Sequence, residues 1–457
     1  MTYDLMVIGS GSAAFAAGIE ARSLGASVVL VEQGVLGGTC VNVGCVPSKT
    51  LLAAAGVAAA ARRHPFAGVP TSVGPVDLAA LVAQKDELVG GLRQAKYANV
   101  AVEHGIELLH GQASFVSAET VRVGDRELHG GAVVVATGAE PAAPELLGLQ
   151  DVEYLTSTSA MALEVLPARL VVVGAGFVGV EQAQLFAQLG SEVTLVGPLM
   201  RNAEPELTQI LDEALVAMGI RRCGTKATRI TQVGDSVRVV CADATVAEGD
   251  RVLIATGRRP RTAELAVELA GVKLHAGGAI KVDATQRSSN PSVWAAGDVT
   301  GGTQFVYVAA AEGRLAARNA LTGSNEQLDY TGLPHVAFTT PQLAWAGLTE
   351  AEAVQQGYRV ESRLLPLDLV PRALVNRDTR GAIKLIAEAG SRRLLGVHAL
   401  ADHGGELLFA ATIALKAGWT VDQLASTWAP YLTMNEGLKL AAQSFTTSVE
   451  TLSCCAA

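Results

Sequence analysis

Two cysteines separated by four residues are the most reactive feature of this 457-residue chain. Cys40 and Cys45 stand in Gly37-Gly38-Thr39-Cys40-Val41-Asn42-Val43-Gly44-Cys45-Val46-Pro47-Ser48-Lys49. A zinc site would need a second ligand pair nearby, and the sequence offers none. A dithiol at the start of a helix has lowered thiolate pKa values and suits redox chemistry. Lys49, one turn beyond Cys45 on the same face, brings a cation to that chemistry. Glu181 is a distant carboxylate that can pair with Lys49. At the other end of the chain, Leu452-Ser453-Cys454-Cys455-Ala456-Ala457 carries two adjacent thiols. Adjacent cysteines close only a strained ring when oxidised. As exposed thiols they suit capture of a soft cation and its transfer to Cys40 and Cys45 by ligand exchange. The remaining two, Cys223 and Cys241, match no motif and read as packing residues. Six cysteines in all are too few for a disulfide scaffold. A reducing cytoplasm is therefore expected, with any disulfide catalytic rather than structural.

The elements that must position these residues are nucleotide-binding units. Tyr3 to Ile8 is an apolar run of strand length, followed by Gly9-Ser10-Gly11-Ser12-Ala13-Ala14 and a small-residue helix to about Leu24. A second strand, Ser27 to Val31, ends in Glu32. This is a G-x-G-x-x-G/A fingerprint in its required context. Gly9, Gly11 and Ala14 let the backbone approach a pyrophosphate at the helix N-terminus, and Glu32 accepts hydrogen bonds from ribose hydroxyls. Gly174-Ala175-Gly176-Phe177-Val178-Gly179 repeats the pattern between a strand at Leu170 to Val173 and a helix to about Leu189. Val133 to Gly138 and Val252 to Gly257 also repeat each other, ending in Thr137-Gly138 and Thr256-Gly257. Two units imply two dinucleotides, and tandem pairs of this kind join a flavin to a nicotinamide so that hydride can pass. Beside a flavin, Cys40 and Cys45 can store two electrons, and Lys49 can stabilise a reduced, anionic flavin.

The second unit's second strand ends in Gly197-Pro198 rather than in an acid, which leaves room for a 2′-phosphate. Arg201 is the nearest cation able to pair with it. NADPH is expected, with NADH as the alternative. Further on, Asn290 to Asp298 reads as a short buried strand delivering one carboxylate, Asp298, onto a glycine turn; a plain helix cap is the competing reading. From about Gly332 no fingerprint appears, and strands and helices mix in a separate α+β module.

Composition narrows the class. Hydrophobic residues are 49% and charged residues 17%, enough for large cores. The net charge of −9 disfavours a nucleic-acid binder. No apolar run approaches the ~18 residues of a membrane span, so no membrane insertion is expected. The first residues lack a signal peptide's basic region and belong to the first fingerprint.

With these motifs in place, the chain resembles the pyridine nucleotide–disulfide oxidoreductases, the family of glutathione reductase and dihydrolipoamide dehydrogenase, over essentially its whole length. The resemblance implies two tandem Rossmann-like domains plus a C-terminal α+β dimerisation domain: residues 1–148 and 268–331 for FAD, 149–267 for NAD(P)H, 332–457 for dimerisation. It implies that Asp298 and Val306 contact FAD, that Cys45 faces the flavin as charge-transfer thiol, and that Cys40 is the exchange thiol. It also implies a homodimer whose active sites are shared between subunits.

Disulfide reductases of the family carry a His-Pro…Glu element near the C-terminus, the His protonating the leaving thiol. Here the stretch is Pro430-Tyr431-Leu432-Thr433-Met434-Asn435-Glu436: Glu436 is kept and Tyr431 stands in place of the His. A phenol with a pKa near 10 is a poor proton shuttle at neutral pH. Together with Cys40, Cys45, the terminal Cys454-Cys455 and Tyr154 in Tyr154-Leu155-Thr156-Ser157-Thr158, this resembles the mercuric ion reductases. That resemblance implies Hg(II) + NADPH → Hg(0) + NADP⁺ + H⁺, Hg(II) delivered by small thiols to Cys454 and Cys455 and passed to Cys40 and Cys45, with Tyr154 and Tyr431 lining the inner metal site. Many such reductases have an N-terminal metal-binding module, whereas this sequence opens at the flavoprotein core. A disulfide reductase or a dihydrolipoamide dehydrogenase-like enzyme is the nearest alternative. A protein that sequesters Hg(II) without turnover is the alternative of a different class, and two dinucleotide sites argue against it.

Overall fold

A computed structural model describes residues 2–451; Cys454 and Cys455 lie outside them. The first sheet comprises β1 (Thr2–Ile8), β2 (Val28–Glu32), β3 (Glu107–His110), β4 (Ala113–Phe115), β5 (Thr120–Val123) and β6 (Arg126–Val135), in the order β3-β2-β1-β6-β5-β4. Leu5-Met6-Val7-Ile8 is an unbroken apolar run because β1 is parallel to both neighbours and covered on both faces. Helix α1 (Ser12–Ser23) follows β1 directly. The cysteine motif forms two helices rather than the start of one. Cys40 lies in α2 (Gly38–Val43), and Cys45 begins α3 (Cys45–Arg62). Gly44 makes the break between them, and a Cβ there would sit 2.9 Å from the Thr39 carbonyl oxygen. Helix α4 (Leu78–Arg93) packs beside α3.

The second unit holds β7 (Arg169–Val173), α5 (Phe177–Leu189), β8 (Glu192–Val196), α6 (Pro205–Ala217) and β9 (Arg221–Cys223). An antiparallel meander follows, β10 (Ala227–Val233), β11 (Ser236–Cys241) and β12 (Val246–Gly249), before β13 (Arg251–Ile254) completes a parallel sheet in the order β9-β8-β7-β13. The chain then returns to the first sheet: β14 (Val293–Ala295) pairs in parallel with β6. Helix α7 (Val306–Thr322) presses against α1 so closely that a Cβ at Gly313 would lie 2.1 Å from the Ala13 carbonyl oxygen. The third unit is a five-stranded antiparallel sheet built from β15 (Pro334–Ala337), β16 (Gln342–Gly347), β17 (Val360–Pro366), β18 (Ala382–Glu388) and β19 (Leu394–Ala401). Helices α8 (Gly404–Lys416) and α9 (Met434–Gln443) pack on it.

One hydrophobic cluster crosses all three units: Leu51 and Leu52 of α3, Val82 of α4, Val180 and Phe186 of α5, Leu207 of α6, and Leu343 and Trp345 of β16. The cysteine-bearing helix is therefore wedged where the units meet. The stretch Gly38–Arg62 is long and apolar enough, by length and composition alone, to cross a membrane. That corrects the reading that no run of such length exists; the stretch is the broken α2–α3 pair, with Leu51, Leu52 and Ala55 packed in this cluster.

Cys223 and Cys241 also depart from expectation. Both are buried among Val196, Ile230 and Val239 as packing residues would be, yet their sulfurs are bonded to each other. Cys40 and Cys45 are free thiols. The pairing arises because the last residue of β9 and the last of β11 converge where the meander crosses the edge of the parallel sheet, a contact no local pattern encodes.

Candidate active site

Both fingerprints form cradles that exclude side chains. Gly9 has φ +118°, and a Cβ on it would meet the Ala136 carbonyl oxygen at 2.3 Å. Gly174 repeats this with φ +107° and Ala255 at the same 2.3 Å. A Cβ on Gly179 would stand 1.7 Å from the Gly174 carbonyl oxygen, while Ala14 fills the equivalent place in the first unit without exposure. Gly11 and Gly176 cap α1 and α5 with no side-chain hydrogen bond, so the first N–H groups of each helix stay free for phosphate oxygens. In the first unit a cleft of about 830 Å³ is lined by Gly9, Gly11, Glu32, Thr39, Thr137 and Gly138. Glu32 closes one end, its carboxylate accepting from Ser10 Oγ at 2.6 Å and from the Gly34 N–H at 2.7 Å. Glycine backbone, a helix N-terminus and a carboxylate at the second strand's end fit a dinucleotide such as FAD.

Asp298 lies in a single 3₁₀ turn, Gly297–Thr300, rather than at the cap of a long helix. Burial pushes its carboxyl above the ordinary range, and Arg258, 3.8 Å away, opposes the rise. Glu312, which the sequence did not single out, holds this turn by accepting from the Gly297 N–H at 2.8 Å and the Tyr330 hydroxyl at 2.9 Å. Val306 opens α7 with 36% of its surface exposed. In the second unit, Gly257 follows β13 with φ +145°. Arg201 is exposed on the loop after β8 and joins no ion pair among the described residues. The cation built into that strand end is Arg222, whose guanidinium donates to the carbonyls of Leu195 at 2.6 Å and Gly197 at 3.0 Å.

At the dithiol, the Cys40 thiol hydrogen-bonds to Cys45, which pushes Cys40 well above an ordinary thiol and lowers Cys45 to about 7; Lys49 adds to the lowering. Cys45 is thus the thiolate of the pair and Cys40 the neutral donor. Lys49 Nζ donates to Glu181 Oε2 at 2.7 Å, pairing α3 with α5 as the sequence predicts. The other Glu181 oxygen accepts from the Phe338 N–H at 3.0 Å, and Lys49 Nζ lies 4.6 Å from the centre of the Phe338 ring. One buried carboxylate therefore ties together the three units at the thiols. Phe338 had no sequence signal.

Tyr154 stands 36% exposed at the edge of the second unit, next to Leu155, which pairs with β13. No hydrogen bond or ring contact among the described residues joins it to the cysteines. Tyr97 lies there instead, within a π-helical turn, Gln94–Ala98, where the extra residue reshapes the helix. Its ring packs edge-on against Phe15 at 4.9 Å and over Gly37. Burial raises its hydroxyl, and a charge on Cys40 raises it further. A break in helical periodicity around Lys96-Tyr97 was too weak a signal to find it.

In the third unit Tyr431 is 49% exposed, and Leu432 adopts φ +58°. Glu436 is buried and its carboxylate accepts from the Leu432 N–H at 3.2 Å, so it holds its own loop. An aromatic layer completes the junction: Phe177, within the second fingerprint, stacks on Trp345 at 5.5 Å and meets Phe305 edge-on at 5.6 Å.

Residues 3–313 match the family model described as pyridine nucleotide-disulphide oxidoreductase, and residues 333–442 match the dimerisation domain of the same family. The chain is 49% identical to a mercuric reductase of Streptomyces lividans, over 99% of this chain and 98% of that protein. It is 47% identical to a mercuric reductase of Bacillus cereus, over 99% of this chain and 73% of that protein. Among solved structures, the HOCl-induced flavoprotein disulfide reductase RclA from Escherichia coli superposes with a TM-score of 0.86 at 30% identity, covering 97% of this chain and all of that one. Two nucleotide cradles, a dithiol at their junction and matches over nearly the whole length place the chain in one family: it belongs to the pyridine nucleotide–disulphide oxidoreductases.

Proposed function

We propose that the protein is an NADPH-dependent flavoenzyme that reduces Hg(II) to Hg(0) at Cys40 and Cys45. FAD is held by residues 1–148 and 268–331 and NADPH by 149–267, while 332–457 forms a homodimer that shares each active site between subunits. Bound FAD supplies two-electron transfer from the nicotinamide side to the thiol side. The chain's own residues hold the metal and the charge. Cys45, lowered to about 7, offers a thiolate at neutral pH. Cys40 gives up its proton as the second sulfur binds. Lys49, fixed by Glu181, keeps positive charge beside the anionic sulfur. Tyr97 on the same subunit and Tyr431 of the third unit flank the metal, the former in the place expected for Tyr154. Cys454 and Cys455 exchange Hg(II) with small thiols and pass it inward, and NADPH as donor suits the cytoplasm.

The observation that carries this reading is Glu436. In a disulfide reductase this carboxylate would orient an imidazole that protonates a leaving thiol; here one of its oxygens accepts from the Leu432 N–H and Tyr431 stands in place of the imidazole. Hg(II) held by two thiolates needs two electrons and no such proton. The test is NADPH oxidation by the purified protein with Hg(II) in excess thiol, against oxidised glutathione and lipoamide. Rapid oxidation with Hg(II) alone, with mercury released as vapour, is the expected result. Oxidation with a disulfide and none with Hg(II) overturns it. Truncation before Cys454 should slow turnover most when Hg(II) is presented as a dithiol complex.

A further inference from the structure

A second sulfur pair stands outside the active site. Cys223 ends β9 and Cys241 ends β11, with 3% and 2% of their surfaces exposed. The Asp243 carboxylate lies with both sulfurs inside a 4.8 Å cluster and is itself exposed. Apart from Thr225, whose hydroxyl lies 3.9 Å from the Cys223 sulfur, its surroundings are apolar: Val171, Val173, Val196, Ile230, Val237 and Val239. Such surroundings reject a net charge. A divalent cation with two thiolates is neutral, and only a soft ion is satisfied by two sulfurs. Zinc would ask for four ligands, which the cluster does not supply.

The site also touches the nucleotide unit. The Cys223 carbonyl accepts the Gly197 N–H at 2.8 Å, and Cys223 pairs with Val196 across β8. Gly197 begins the turn where the ribose end of NADPH is sorted, and a Cβ on it would stand 3.7 Å from Gly174 of the fingerprint.

We propose that Cys223, Cys241 and Asp243 form a second soft-cation site, distinct from Cys40 and Cys45, that takes one Hg(II) as a neutral bis-thiolate and weakens NADPH binding through the Cys223–Gly197 contact. Two small-molecule thiols first reduce the pair. Its S–S bond breaks, each cysteine sulfur gains one of the thiol protons, and one small-molecule disulfide forms. Hg(II) arriving as a bis-thiolate complex then exchanges ligands. Two Cys–S–Hg bonds form, two small thiolates leave with the cysteine protons, and no oxidation state changes. Asp243 faces the incoming ion on the solvent side.

The test uses the FAD-loaded C40S/C45S/C454S/C455S variant, which retains only this pair, reduced with a phosphine and then freed of it. Given Hg(II) as its glutathione complex, native mass spectrometry should find one Hg(II) with two protons lost, and none after a further C223S. The NADPH dissociation constant, read by fluorescence titration, should rise several-fold on loading. In the otherwise unaltered protein, Cys241→Ser should lose one tightly held Hg(II) relative to the parent, a comparison that does not depend on the multiple variant folding. Failure to retain Hg(II) against excess glutathione, or retention of two ions each still carrying glutathione, overturns the site. An unchanged NADPH constant in the loaded protein overturns the coupling.

Discussion

Cys45 is the residue whose environment can be read most directly. The Cys40 thiol donates to it, and the Lys49 ammonium stabilises its charge, so its titration is centred at about 7 rather than near an ordinary thiol's ~8.5. Alkylation of the reduced protein should follow that midpoint. Cys40→Ala should move it upward, since the donor that stabilises the thiolate is gone. Lys49→Met should also move it upward, by less. A midpoint near 8.5 in the parent protein would show that the pair is not coupled as described. Replacing either cysteine by serine should abolish Hg(II) turnover while the protein stays yellow. Loss of flavin absorbance in those variants would make the pair structural. Lys49 and Glu181 were legible beforehand because each sits at a fixed offset from its own motif. Tyr97 and Phe338 were not, because only folding brings them to the sulfurs.

At the scale of elements, the strand–glycine–helix units do the positioning. The Gly9–Ala136 and Gly174–Ala255 approaches are the same device used twice, and the glycine is required by both a left-handed φ and a carbonyl 2.3 Å from where a Cβ would be. Gly174→Val should cost about 1–3 kcal/mol of local strain and weaken NADPH binding five- to a hundredfold, with FAD retained. Fluorescence titration checks this, and loss of both cofactors together would mean the second unit is not folded. The break at Gly44 matters as much. It sets Cys40 on α2 and Cys45 at the start of α3, so the two sulfurs meet across a corner instead of along one helix.

At the scale of the whole molecule, one buried cation joins the second and third units. Lys384 of β18 donates to Glu204 and Glu206, at the start of α6, and pairs with Glu350, each at 2.8 Å. Burial works against its charge, but these hydrogen bonds outweigh it and hold its pKa above that of an ordinary lysine. Lys384→Met leaves Glu204 buried without its cation, and should destabilise the fold by about 3–5 kcal/mol, measured as a fall in the midpoint of denaturant unfolding. Burial raises the Glu206 carboxyl, yet the hydrogen bond from Lys384 brings it below the ordinary value. A depressed folded pKa gives stability that is present above the unfolded value and lost as pH falls through the folded one. The parent should therefore lose stability on the acid side more steeply than Lys384→Met. Equal acid slopes would show that the cluster contributes nothing.

What the sequence by itself determined is whatever a short stretch encodes: the two glycine cradles, the cysteine pair with Lys49, the acid at the end of the second strand and the Glu181 partner. Those signals are local because phosphate cradles and helix starts are made by consecutive residues. The tertiary structure decided what depends on distant segments meeting. It turned Glu436 onto Leu432, set Glu312 under the Asp298 turn, and placed Arg222 rather than Arg201 against the end of β8. It brought Tyr97 rather than Tyr154 to the thiols, and joined Cys223 to Cys241 where two sheets cross. All but the four-residue Glu436–Leu432 bond join residues well apart in the chain, and side-chain periodicity carries no information about such contacts.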